Sequence, residues 1–304
     1  MDIRSGRDHY LLQLEKLNKS RHTLKQYRID LEQLEQFANE QRIDDVTTDR
    51  FAQFAVAYET VLIDKGFKPT SVRRKVSSLR SFLRFLHTGG WLNEPLHERI
   101  VHTQAYRVET TLPTLEEVAA LYSFYPWIEP VESYAEWTVV RNRTILRLMI
   151  DTGMKVNEIC QLRYGQIGWH EEELSLYGRE GTFRTVDVPR RAILNLDDYV
   201  ALTAAYFDDE WQSTDYVFFS DRTMKKRAMS ERTVERLVQR ATESLGTSSR
   251  GSELRYFRLL QKALQTEDED VLTERFGYRS AAQLEQRLNW LLVDQKKTKK
   301  NDEK

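Results

Sequence analysis

The chain has 304 residues, 40% of them hydrophobic and 31% charged, with a formal net charge of −1 and a single cysteine, Cys160. That length allows two domains with cores of their own, and one cysteine excludes an intrachain disulfide. No apolar run approaches the roughly 18 residues of a membrane span, and the opening MDIRSGRDHYLLQ has no signal-peptide core, so a cytoplasmic protein with no membrane partner is expected. The near-neutral balance argues mildly against nucleic acid as partner, although the distribution of charge matters more than its total.

In chain order, residues 10–39 place Leu11, Leu14, Leu17, Leu24, Tyr27, Leu31, Leu34 and Phe37 at helical spacing. Ser20 is the expected N-cap of the second helix there. A third helix over FAQFAVAYETVLIDKG ends at Gly66. A fourth follows Pro69 and ends at Gly89-Gly90, its apolar stripe being Val72, Val76, Leu79, Leu83 and Leu86. Four such helices with short connections predict a compact bundle over 1–96. Residues 97–112 lack periodicity and read as a linker, and 113–304 as a second domain. Thr114-Leu-Glu-Glu117 is a capping-box pattern. Cys160, in an apolar helical run, reads as a core residue rather than a reactive thiol. Residues 173–177 and 183–188 alternate like the strands of a hairpin around Gly178 and Gly181, Tyr216–Phe219 suggests a further short strand, and helix returns from Ser230. The tail KKTKKNDEK reads as a disordered, solvated end.

Basic residues gather on two helix faces. Between Lys65 and Gly90 there are no acids, and Arg73, Arg80 and Arg84 recur on one face of the fourth helix, flanked by Arg74 and Lys75. Such a face suits a run of phosphates; the plain alternative is a solvated surface. Arg232, Arg236 and Arg240 form a second stripe, preceded by Lys225, Lys226 and Arg227, but Glu231 and Glu235 interleave.

The stretch RNRTILRLMIDTGMKVNEICQLRYGQI resembles the first catalytic box of the tyrosine recombinases (phage integrases and Xer-type recombinases), with Arg141, Thr152, Gly153, Glu158 and Leu162 fitting the pattern. SRHTLKQYRIDLEQLEQF and KPTSVRRKVSSLRSFLRFL resemble the two signature stretches of the family's N-terminal domain. The resemblance implies a mainly α fold with a small β-sheet: an N-terminal helical core-binding (SAM-like) bundle, then a C-terminal α+β catalytic-type domain, closing on duplex DNA as a clamp. In the family a tyrosine hydroxyl attacks a phosphate, two arginines and histidine-type donors stabilise the transition state, and a hairpin lysine protonates the leaving oxygen. Such chemistry needs fixed cations where charge develops and an acid that releases a proton.

Against that pattern the catalytic positions of this chain are largely replaced. The first arginine corresponds to Lys155, which keeps the charge without the planar fork. The hairpin lysine corresponds to Arg179, a poor proton donor. In Ser252-Glu-Leu-Arg-Tyr256, Arg255 matches the second arginine and Ser252 replaces a histidine. Tyr278 in Phe276-Gly277-Tyr278 stands at a later His/Trp-type position, and the nucleophile position falls on Arg287. No histidine lies beyond His170 and no tyrosine beyond Tyr278. A lost general acid costs on the order of 10² to 10⁴ in rate, and a lost nucleophile removes the covalent route.

The leading expectation is a catalytically inactive DNA-binding relative acting in or around recombination and integration. Its partners would be duplex DNA and either an active recombinase or a second copy of itself. No cofactor and no metal site is expected. Lys155, Arg179 and Arg255 should converge on a phosphate, the alternative being that each pairs with a local acid such as Glu158. A divergent enzyme using Tyr278 as nucleophile, and a protein-interaction module without DNA binding, are the competing readings.

Overall fold

The computed structural model describes residues 1–101, 110–177, 183–220, 227–247, 249–265 and 268–302, with backbone alone for 296–302. The chain forms two compact units, Met1–Glu109 and Thr110–Lys304. No helix among the described residues is long and apolar enough to cross a membrane.

The first unit packs α1 (Ile3–Lys16), α2 (Arg21–Glu40), α3 (Asp49–Asp64), α4 (Pro69–Thr88) and the one-turn α5 (Leu96–Arg99). Each long helix begins where the local chemistry dictates. Asp2, Ser20 and Thr48 cap α1, α2 and α3 with side-chain oxygens on backbone N–H groups, and Pro69 opens α4. Helix α1 starts at Ile3, earlier than its periodicity suggests, because Asp2 supplies the cap and the Met1 ammonium binds Asp45 at 3.0 Å. Gly66 follows α3 with φ +75, a left-handed conformation that closes the helix without Cβ strain. Helix α5 and Ile100 join the buried core of this unit, so packed structure continues past residue 96. Residues 102–109 of the expected linker lie outside the described residues.

One polar hub crosses this apolar core. Asp30 of α2 is buried and accepts from Lys75 at 3.2 Å, from the Ser78 hydroxyl at 2.9 Å and from Arg74, all on α4. Lys75 is only 4% exposed. Removing one partner of a buried ion pair leaves the other uncompensated, which costs about 3–5 kcal/mol.

In the second unit, capping boxes at Thr114/Glu117 and Ser133/Glu136 open α6 (Leu115–Ser123) and α7 (Tyr134–Thr152). Helix α7 stops at Gly153, φ +67, and α8 (Val156–Gln161) follows. Cys160 is buried there and its thiol is pushed up to about 12 by burial, then by Glu231 and Glu235, so it is an inert core group. Three strands form an antiparallel sheet in the order β1 (Ile167–Gly168), β2 (Glu173–Tyr177), β3 (Phe183–Asp187). The register pairs Leu176 with Arg184 and Leu174 with Val186. All four turn toward the interior, while Tyr177 and Phe183 face out. The helices α9 (Arg190–Phe207), α10 (Glu231–Ser244), α11 (Gly251–Leu264), α12 (Glu269–Arg275) and α13 (Ala281–Asp302) complete the unit.

Two expectations need correction here. Tyr216–Phe219 is not a strand: Tyr216 makes a single bridge to Arg163, and Phe218 and Phe219 are buried as an irregular segment. The buried Arg141 guanidinium donates to the Phe219 carbonyl at 2.8 Å and satisfies backbone that a ladder would otherwise serve. The tail also differs, since α13 runs to Asp302, consistent with the absence of Gly and Pro after Ser280.

Replacing Asp30 by Ala is expected to destabilise the protein by about 3–5 kcal/mol, because Lys75 is left charged and buried. The additional replacement of Lys75 by Met should recover much of that loss. Urea unfolding of the three proteins checks this; a single variant within about 1 kcal/mol of the parent would show that Asp30 is not the hub.

Candidate nucleic-acid interface

The face expected on α4 is present but narrower than its sequence suggests. Arg73, Arg80 and Arg84 are exposed, with Ser77 between them, and make no ion pair among the described residues. Lys75 does not belong to this face: its ammonium points into the core toward Asp30, as the preceding Val72 and following Val76 and Leu79 require. Arg74 is half-exposed but is also held by Asp30. On α10, Arg232, Arg236 and Arg240 are exposed beside Glu231, Glu235 and Glu243, so that stripe is mixed in charge. Lys225 and Lys226 lie outside the described residues.

The second cluster is built on a carboxylate. Glu158, 3% exposed, accepts the backbone N–H of Lys155 at 2.7 Å and caps α8. Its two oxygens also take a bidentate pair from Arg184 of β3, at 3.0 Å from Nε and 2.6 Å from a terminal nitrogen. The Lys155 ammonium stands 3.7 Å from the same carboxylate. Burial alone would raise the Glu158 pKa, but the Arg184 bonds, the Lys155 N–H and the Lys155 charge together hold it below the usual carboxylate value.

Arg255 of α11 approaches from the other side. It is 7% exposed, donating to the Gly153 carbonyl at 2.7 Å and to the Phe276 carbonyl. These bonds tie the end of α7 to the loop after α12. In that loop Gly277 has φ +57, and a Cβ there would stand 3.0 Å from the Arg184 Cδ and 3.4 Å from the Lys155 Nζ. The close approach of backbone to two cations requires glycine. Lys155 and Arg184 thus pair with one carboxylate, and the charge of that carboxylate also acts on Arg255. Burial lowers the Lys155 pKa, and Arg255 and Arg184 lower it further against the pull of Glu158.

Lys155 pairs with Glu158, as the alternative reading held, and the charge of Arg255 also acts on Lys155. Arg179 lies outside the described residues. The hairpin cation found in the cluster is Arg184, which sequence reasoning missed, although strand alternation sets it on the same side as Val186.

Tyr278 lies beside Arg255, whose guanidinium is 6.0 Å from its ring centre. Burial raises its pKa against Arg255 and an Arg287 hydrogen bond, so the hydroxyl is held as an O–H donor at neutral pH. Arg287 of α13, at the expected nucleophile position, is fixed between the rings of Tyr256 at 4.7 Å and Trp290 at 5.2 Å. Ser252, a turn before Arg255, is exposed at the start of α11.

Because the folded-state pKa of Glu158 is depressed, its stabilisation is present above the unfolded value, 4.5, and is lost as pH falls through the folded one. Glu158→Gln is expected to lower stability at neutral pH by about 3–5 kcal/mol, leaving Arg184 unpaired, and to lose less than the parent on acidification below that value. Urea unfolding at neutral and acid pH checks this; parallel acid losses in the two proteins would contradict it.

Two family models match the chain. That described as Phage integrase family covers residues 128–288, and that described as Phage integrase, N-terminal SAM-like domain, covers residues 8–90. A tyrosine recombinase XerC of Thermodesulfovibrio yellowstonii is 27% identical over 232 residues, covering 75% of this chain and 71% of the relative. A tyrosine recombinase XerC of Staphylococcus saprophyticus is 30% identical over 195 residues; the match covers 63% of this chain and 62% of the relative, less than two thirds of its length. The fold is that of a lambda integrase (75–356) dimer bound to a COC' core site, with TM-score 0.69, 18% identity and 95% of both chains covered. With an integrase domain over residues 128–288 and a SAM-like domain ahead of it, the chain belongs to the phage integrase family.

Proposed function

We propose that this protein binds duplex DNA and holds it without cleaving it, as an accessory or architectural factor in recombination or integration, or as the non-cleaving partner of an active tyrosine recombinase. The helical unit (Met1–Glu109) and the catalytic-type unit (Thr110–Lys304) would each supply phosphate contacts. The observation that carries this reading is an excess of positive charge: Lys155 and Arg184 share the one carboxylate of Glu158 while the charge of Arg255 acts on both Glu158 and Lys155, an imbalance that a phosphate would offset. Tyr278 adds an O–H donor. The fixed Arg287 offers charge where the family resemblance places a nucleophile, and the protein has no tyrosine further along. These cations support holding a phosphate, and the replaced family positions, with Arg287 at that of the nucleophile, support the absence of cleavage.

Tyr278 supports a second reading because it stands beside Arg255, where it could attack a phosphate itself. Its raised pKa weighs against an activated phenolate. A third reading, a protein-interaction module, predicts no DNA binding at all.

Duplex binding is expected to weaken steeply with salt, each phosphate contact adding about 0.9 to the log–log slope. Reversing Arg73, Arg80 and Arg84 to Glu should reduce that slope by about 2 to 3 and lower affinity alike on all sequences, since phosphate contacts position rather than specify. Lys155→Ala should remove about one contact. Fluorescence anisotropy against salt for the three proteins decides the matter. No binding by the parent at low salt would favour the interaction module, and an unchanged slope in the triple variant would remove α4 from the interface.

A further inference from the structure

Helices α4 and α5 meet at two imidazoles that the phosphate contacts above do not use. His87, in the last turn of α4, and His97 of α5 face each other with ring centres 5.7 Å apart and planes tilted by 44°. The His97 Nδ1 is buried and has no hydrogen-bond partner. Arg80 and Arg84, both on the exposed face of α4, act on His97 together with His87; of the groups that act on it, Glu98 alone favours the charged ring. Glu94, ahead of α5, and Arg99, the last residue of α5, pair with each other at 3.9 Å.

The charges of two arginines reach His97 and disfavour a metal ion there. An anion is favoured instead. In the free protein, burial and then Arg84, His87 and Arg80 push the His97 pKa below its ordinary value, so the ring is neutral at physiological pH. A phosphate on Arg80 and Arg84 would cancel their repulsion and present an acceptor to a protonated ring. A ligand that favours the protonated form takes up a proton on binding and must bind more tightly as pH falls.

We propose that His97, backed by His87, is a further phosphate ligand of the α4–α5 face and that duplex binding draws a proton onto it. This rests on the reading of α4 as a DNA-contacting face, and it gives that face a dependence on pH that arginines alone cannot have.

The test measures affinity of the full chain for a fixed duplex between about pH 5.5 and 8 at constant ionic strength, a window in which histidine titrates and DNA phosphates do not. Affinity should rise on acidification by about tenfold for each unit by which DNA raises the His97 pKa, and calorimetry in two buffers of different ionisation enthalpy should record proton uptake. His97→Gln should abolish the pH dependence while keeping affinity at the alkaline end. His97→Lys should bind at every pH as tightly as the acidified parent. A wild-type pH slope in His97→Gln, or no proton uptake, overturns the proposal. Parent binding that Arg80→Glu weakens but pH does not affect overturns it and leaves the α4 face standing. No binding at any pH overturns both.

Discussion

The geometry of the C-terminal unit depends on where the Glu158 carboxylate is held. One buried acid caps α8 through the Lys155 N–H, receives the bidentate fork of Arg184 from β3, and faces the Lys155 ammonium. An unpaired carboxylate at this depth would shift its pKa and take up a proton rather than remain charged. The cations brought in to satisfy it are also what make the surroundings attractive to an anion. Arg255 then locks the Gly153 and Phe276 carbonyls together, so the end of α7, the hairpin and the loop before α13 converge on one polar centre.

The proposed function separates two properties that an enzyme of this family would join. Holding a phosphate requires fixed donors and positive charge, and these are present. Breaking it requires an acid that can release a proton and a nucleophile aligned with the phosphorus. Under the proposed reading, arginine at 184 and 255 is a poor proton donor and the stacked Arg287 is no nucleophile, which favours holding over cleavage. The N-terminal unit follows a similar economy on α4, where one side of the helix commits its Lys75 and Arg74 to the buried Asp30 while the opposite side leaves Arg73, Arg80 and Arg84 to solvent.

Much of the fold was legible because local signals agreed with it. Ser20, Pro69, the Thr114–Glu117 box and the alternation of β2 and β3 each state their element within a few residues. The family resemblance added the two-domain order and the positions of Lys155, Glu158, Arg255 and Tyr278. What the sequence hid were pairings between distant segments. Lys75 read as a surface cation, yet it lies with Val72, Val76 and Leu79 on the buried side of α4, opposite an acid that sits equally on the apolar face of α2. Arg184 is one residue from an exposed phenylalanine, and only the register of the hairpin turns it inward to Glu158. Tyr216–Phe219 carries strand-like residues, but it is buried as irregular backbone held by Arg141, a contact 78 residues away in the chain.

The central claim is that the site grips a phosphate and does not attack it. Incubating the full chain with nicked suicide duplexes across a range of pH, and then resolving products under denaturing conditions, tests it directly. The account predicts no covalent protein–DNA species from the parent, nor from a Lys155→Arg variant that restores the family's first arginine. A denaturation-resistant adduct that disappears in Tyr278→Phe would contradict it and identify Tyr278 as a nucleophile.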